Sequence, residues 1–104
     1  MPELEKSVES YLTKQVNKLG GLCWKWVSPG NSGVPDRIVI YKGSVVFVEL
    51  KRPKGGKLRA LQMVKLQQLT NQRQEVRVIN TKAQVDQLIG LLQSIPDYDK
   101  GVLH

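Results

Sequence analysis

One stretch of this 104-residue sequence limits the possible folds more than any other, Gly33-Val34-Pro35-Asp36-Arg37 through Val48-Glu49-Leu50-Lys51. Residues 37–41 and 45–50 are β-branched and aromatic runs, and Gly43-Ser44 between them predicts a hairpin turn. By the period of two, Val45, Phe47, Glu49 and Lys51 share one face, and Val46, Val48 and Leu50 share the other. Both faces are apolar until the last residues, which predicts a strand covered on both sides. A carboxylate and an ammonium leaving such a strand on one face are costly unless something compensates them. Asp36, at the entrance of the partner strand, falls at the same end of the hairpin. Two carboxylates and a lysine converging there suggest a divalent-metal site.

The length bounds the chain to one domain with a modest core. With 40% hydrophobic and 24% charged residues it has the composition of a globular protein. The net charge of +7 is typical of proteins that meet nucleic acid or an anionic membrane. No apolar run approaches the ~18–20 residues of a membrane span, and the charged N-terminus lacks a signal-peptide core. No membrane association and a cytoplasmic location are therefore expected. The single cysteine, Cys23, cannot form an internal disulfide, which fits a reducing compartment. The single histidine, His104, is the last residue, where a rigid site is not expected. That excludes Ser-His-Asp and Cys-His hydrolases, His-ligated zinc and histidine-based nucleases. Chemistry must run on carboxylates and lysines, with or without a metal.

Residues 3–19 have helical periodicity, with Leu4, Val8, Tyr11, Leu12, Val16 and Leu19 in one stripe, and Gly20-Gly21 predicts the end. Glu5 and Glu9 lie on or beside that stripe, and Glu3 points away. At ~100° per residue Glu9 is ~20° from Val16 and ~60° from Leu12. It is either a flanking solvated carboxylate or one delivered from helix to strand end. Residues 22–28 predict a strand with Leu22, Trp24 and Trp26 on one face. Packing in a core or subunit interface outweighs base stacking for the tryptophans. A turn-rich loop, Ser28-Pro29-Gly30-Asn31-Ser32-Gly33, feeds Pro35-Asp36.

After the hairpin, residues 51–59 hold Lys51, Arg52, Lys54, Lys57 and Arg59. A basic loop is usually a solvated charge run, but beside paired carboxylates it suits a substrate whose phosphates must be drawn in. Residues 58–73 predict a helix with Leu58, Leu61, Leu66 and Leu69 inward and Gln62 on the same side, an amide that needs partners. Residues 75–80 predict a strand, and Thr81-Lys82-Ala83-Gln84 a capping box opening a helix through 93. Residues 95–104 are expected to be a tail on a domain spanning 1–94. The order αβββαβα predicts an α/β fold, a small mixed sheet flanked by helices.

Pro35-Asp36, a gap of twelve residues, then Glu49-Leu50-Lys51 resembles the PD-(D/E)xK nuclease signature, and the element order resembles its restriction-endonuclease-like core. Together with Gly33-Val34, Phe47-Val48 and Gln62, the pattern is similar to the VRR-NUC family, the virus-type replication-repair nucleases, in their small stand-alone phage form. Archaeal Holliday-junction resolvases share a similar arrangement, with a helix-one glutamate eleven residues before the glycine; Glu9 precedes Gly20 by eleven. The decoy Pro96-Asp97 has no Glu-x-Lys after it. The resemblance implies Asp36, Glu49 and the backbone carbonyl of Leu50 as ligands of Mg²⁺, with Mn²⁺ as substitute. It implies Lys51 at the attacking water or the developing charge, Glu9 at a water, and Gln62 orienting Lys51 or that water.

The function implied is a metal-dependent, structure-selective endodeoxyribonuclease acting on branched DNA such as Holliday junctions, as a homodimer. A flap or single-strand-junction nuclease is the alternative within that class. Outside it, the alternative is a non-catalytic DNA-binding module using Lys25, Arg37, Arg52, Lys54, Lys57 and Arg59 on phosphates. A membrane-surface or RNA-binding protein is disfavoured, because the charge clusters beside carboxylates.

Overall fold

The computed structural model describes residues 4–52 and 55–96. Its element order is α1 (Glu5–Leu19), β1 (Leu22–Lys25), β2 (Arg37–Tyr41), β3 (Ser44–Leu50), α2 (Ala60–Asn71), β4 (Glu75–Ile79) and α3 (Lys82–Gln93). This is the expected αβββαβα order. The sheet runs β1-β2-β3-β4, antiparallel across its first three strands and parallel between β3 and β4. A parallel pair cannot be joined by a tight turn, and α2 provides the crossover. Among the described residues no helix is long and apolar enough to cross a membrane.

One face of the sheet carries the core. Val8, Leu12 and Val16 of α1 and Val85, Leu88 and Leu92 of α3 pack on Cys23, Val39, Val46, Val48, Leu50 and Ile79. Ile95 packs against the edge of that cluster, so the first residue of the expected tail still belongs to the folded body. Gly20, at φ 92°, takes the left-handed conformation that closes α1. The capping box of α3 forms as the sequence implies, with Gln84 N–H donating to Thr81 Oγ1 at 3.2 Å. Thr81 N–H donates to Gln84 Oε1 at the same distance of 3.2 Å.

Two expectations are corrected. The β2–β3 turn is Lys42-Gly43, one residue earlier than Gly43-Ser44, because Tyr41 pairs with Ser44. Both turn residues have positive φ, 46° and 81°, the two-residue geometry whose twist matches that of the strands. The opposite sheet face is only partly covered. α2 lies over part of it, and of the four leucines expected inward only Leu66 is buried, while Leu61 is 47% exposed. Trp26 tilts against Phe47 at 5.3 Å between ring centroids, whereas Trp24 is 57% exposed.

Candidate active site

Asp36 immediately precedes β2, and continuing the Arg37–Val48 register by one step sets it across from Glu49. Its backbone carbonyl accepts from Trp26 N–H at 2.9 Å, and its Oδ2 accepts from Leu50 N–H at 2.9 Å. The Asp36 side chain thus occupies the place where strand pairing would otherwise continue beyond Pro35, which is fully buried. The N–H and C=O of one strand residue face the same neighbour. The Leu50 carbonyl therefore also faces the Asp36 side.

Glu49 is 1% exposed, a carboxylate inside the fold. Its Oε2 accepts from Gln62 Nε2 at 2.8 Å and lies 3.3 Å from Lys51 Nζ. Gln62 is itself fixed, because its Oε1 accepts from Arg59 N–H at 2.9 Å at the start of α2. Lys51 is positioned from the other side by its N–H to Ile79 O at 3.0 Å. The second oxygen, Oε1, is buried and has no hydrogen-bond partner. Burial, and then the neighbouring Asp36 carboxylate, push the Glu49 pKa up to about 7 against the pull of Lys51. A buried carboxylate oxygen is rarely left without a partner in a folded protein.

These atoms fit a hard divalent cation. The bare Oε1 of Glu49, the Asp36 carboxylate and the Leu50 carbonyl are oxygen donors of the type Mg²⁺ takes. Among the described residues no three His, Cys, Asp or Glu side chains gather at a point, and the Leu50 carbonyl offers a further protein oxygen. Cys23 is buried, and burial raises its thiol pKa, the opposite of an activated nucleophile.

The remaining candidates divide between the two faces of the sheet. Glu49 and Lys51 face α2, whereas Arg37 shares the α1 side with its cross-strand neighbour Val48. Arg37 Nε donates to Glu9 Oε2 at 2.8 Å, and its Nη1 donates to Cys23 O at 3.4 Å. Glu9 is therefore brought to the start of β2, next in the chain to Asp36, as the partner of Arg37 and not of Glu49. Lys25 pairs with Arg37 across the strands and is exposed. Arg52, Lys57 and Arg59 are exposed beside the site, and Lys54 lies outside the described residues, as do His104 and Asp97. Asn80 was not among the candidates; its Nδ2 donates to Arg52 O at 3.1 Å and ties down the loop after Lys51. Its place next to the Thr81 capping box is the only signal in the sequence, and it does not name the partner.

No protein-family profile matches the chain. A curated phage protein, "Putative nuclease p44" of Acyrthosiphon pisum secondary endosymbiont phage 1, is 50% identical over 50 residues. The match covers 47% of this chain and 54% of p44, so the chain spans about half the length of that relative. A solved structure described as a VRR_NUC domain superposes with a TM-score of 0.77 at 32% identity, covering 83% of this chain and 94% of that one. With that identity over nearly the whole of a domain of the same restriction-endonuclease-like fold, the chain belongs to the VRR_NUC family.

Proposed function

We propose that the chain is a divalent-metal-dependent endodeoxyribonuclease in which Asp36, Glu49 and the Leu50 carbonyl hold Mg²⁺ or Mn²⁺. The observation that carries this reading is the buried, partnerless Oε1 of Glu49 beside a second carboxylate and a lysine. When bound, the ion supplies charge neutralisation at phosphorus and a more acidic water. Lys51, held 3.3 Å from Glu49, presents its ammonium to the attacking water or to the phosphate oxygen that gains charge. Gln62 keeps Glu49 Oε2 oriented, and Glu9 holds Arg37 in place at the start of β2. In the net reaction the water oxygen bonds to phosphorus, the bond to the leaving sugar oxygen breaks, and that oxygen takes a proton. The exposed Lys25, Arg52, Lys57 and Arg59, with Lys54 of the same loop, draw the DNA backbone in.

The substrate is branched DNA, with the four-way junction preferred and a flap the alternative. Residues 1–94 serve as the nuclease domain, which Ile95 extends by packing on its core. Two symmetric cuts from one site per chain require a homodimer. The open sheet face supports it: Leu22, Trp24 and Val45 are 44%, 57% and 38% exposed there. The phage relative supports action in the host cytoplasm.

One gel tests the reading. Four-way junction, flap, linear duplex and single strand are each incubated with Mg²⁺ or Mn²⁺. Cleavage strongest on the junction, abolished by Asp36→Asn and by Lys51→Ala while binding survives, is expected. Cleavage that withstands both substitutions refutes the site, and binding without cleavage leaves a DNA-binding module.

A further inference from the structure

We propose that the outward face of α1 is a second phosphate-binding surface, which takes a duplex DNA arm as it leaves the site. The proposal rests on the nuclease reading and extends it to residues that reading does not use.

Val8, Leu12 and Val16 define the buried side of α1. At ~100° per residue the opposite half presents Lys6, Ser7, Ser10, Lys14, Asn17 and Lys18, all exposed. Every one of them is an ammonium or a neutral hydrogen-bonding group. The helix's two described carboxylates, Glu5 and Glu9, sit on the sheet-facing flank, and Glu9 is neutralised by Arg37 at 2.8 Å. A helix face shaped only for stability would mix signs, because opposite charges four residues apart stabilise and like charges repel. Here Lys14 and Lys18 stand four apart, and Ser10, the position four residues before Lys14, is uncharged. Lys18, in the last turn, suits the helix dipole, whereas Lys6, in the first, opposes it; a one-signed face kept partly against local stability points to an anionic ligand.

The surface also reaches the residue that follows Asp36 in the chain. One shallow depression on it is lined by Lys6, Ser7, Ser10 and Lys14, with Lys82 of α3 at its border. A second takes in Lys6, Ser10 and Lys14 together with the Glu9–Arg37 ion pair, whose arginine follows Asp36 in the chain. The polarity of α1 fixes the direction. Glu9 meets Arg37 at the start of β2, whereas Gly21 packs beside Ile40 and Tyr41 at the far end of the hairpin. The lysine face therefore begins at the end of the sheet that carries the site and runs towards the hairpin turn. Lys6 to Lys18 spans ~18 Å of helix axis, about five base pairs of duplex. Flexible lysines and hydroxyls match phosphate oxygens and read no bases, as a structure-selective enzyme requires. Phosphates are then held by α1 as well as by the exposed Arg52, Lys57 and Arg59.

The test compares Lys6→Gln/Lys14→Gln with a charge-matched control, Lys42→Gln/Arg73→Gln, at the hairpin-turn end of the molecule. Binding of a labelled four-way junction is titrated in EDTA across a salt series, and melting by circular dichroism verifies that each variant folds. The α1 variant is expected to bind at least about tenfold more weakly, with the slope of log K against log salt reduced by about two. The control should move the slope by less than half of that. Equal behaviour of the two variants, with wild-type cleavage intact, overturns the α1 surface and leaves the nuclease reading standing. Wild-type protein that neither binds nor cuts any DNA with Mg²⁺ or Mn²⁺ overturns the nuclease reading and this surface with it. Loss of binding to phosphatidylserine vesicles with junction binding unchanged assigns the face to a membrane and also overturns it.

Discussion

The N–H of Leu50 donates to Asp36 Oδ2 at 2.9 Å, so the strand that carries Glu49 also holds the loop carboxylate opposite it. The two acids are thereby set together before any ion arrives. Keeping them so in a buried place is unfavourable, and the raised Glu49 pKa is the record of that cost.

Asp36→Asn separates the structural and chemical duties of that residue. The asparagine Oδ1 can still accept from Leu50 N–H, and loss of the second carboxylate relieves Glu49. The variant should be at least as stable as wild type in EDTA, yet lose on the order of 10²-fold or more in cleavage, several kcal/mol of charge stabilisation. Thermal melts beside the cleavage gel check both halves. A variant that unfolds would mean that Asp36 serves mainly to hold the strand end.

The protein without metal should lose stability as pH rises. Glu49 has a folded pKa of about 7 against an ordinary value of 4.5, so between those values the folded chain keeps a proton that the unfolded chain has released. Stability is highest below that window, falls through it, and stays low above it, by at most about 3 kcal/mol. Urea titrations in EDTA from pH 4 to 8.5 measure the slope. In Asp36→Asn the drop should shrink, because one of its causes is gone.

Much of this arrangement was legible in the chain. The period of two put Glu49 and Lys51 on one face, and β-branched runs bounded the strands that present them. The capping box at Thr81 and Gln84 is a local signal and formed as written. Long-range pairing was not legible. A helix wheel showed that Glu9 leans towards the sheet, but not that Arg37 would meet it 28 residues later. The Asn80–Arg52 contact has the same separation of 28 residues and the same cause. The apolar pattern predicted a strand covered on both faces, yet an apolar face looks the same whether a helix or a second molecule covers it.

Divalent ions should reverse the pH effect. Mg²⁺ or Mn²⁺ at one hundred times its Kd should stabilise the fold by about 2.7 kcal/mol. Affinity should rise as pH increases through about 7, because the proton on Glu49 must leave before the oxygen can serve as a ligand. Melting temperatures with and without the ion at pH 6 and pH 8 check this, and EDTA should return the gain. Glu49→Gln should abolish the ion-dependent shift.

Gln62 is the positioning residue whose loss reads out on two scales. Its amide joins Glu49 Oε2 at 2.8 Å to Arg59 N–H at 2.9 Å, so Gln62→Ala leaves a buried carboxylate with one fewer donor. The expected cost is about 1–3 kcal/mol in stability, with a further rise in the Glu49 pKa. Cleavage should therefore fall most below neutral pH and recover partly as pH rises. Gln62→Glu should be worse than alanine, because it adds a third carboxylate where a donor is needed. A flat pH response in Gln62→Ala would reduce the residue to helix capping.

Trp24 tests the homodimer. It lies on the sheet face away from α1 and α3, in register with Ile38, Phe47 and Val76, and is 57% exposed. Leu22 pairs with Ile40 and then with Val45 in the adjacent row, and α2 leaves both rows partly open. A second copy that covers this face would bury tryptophan at its centre, where interface energy concentrates. Trp24→Arg should convert a dimer to a monomer by sedimentation velocity without unfolding it, because the position is exposed within one chain. Paired cuts on a four-way junction should then become single nicks, while single-site cleavage chemistry survives. A wild-type monomer that still cuts both strands symmetrically would sink the dimer and leave the open face to another partner.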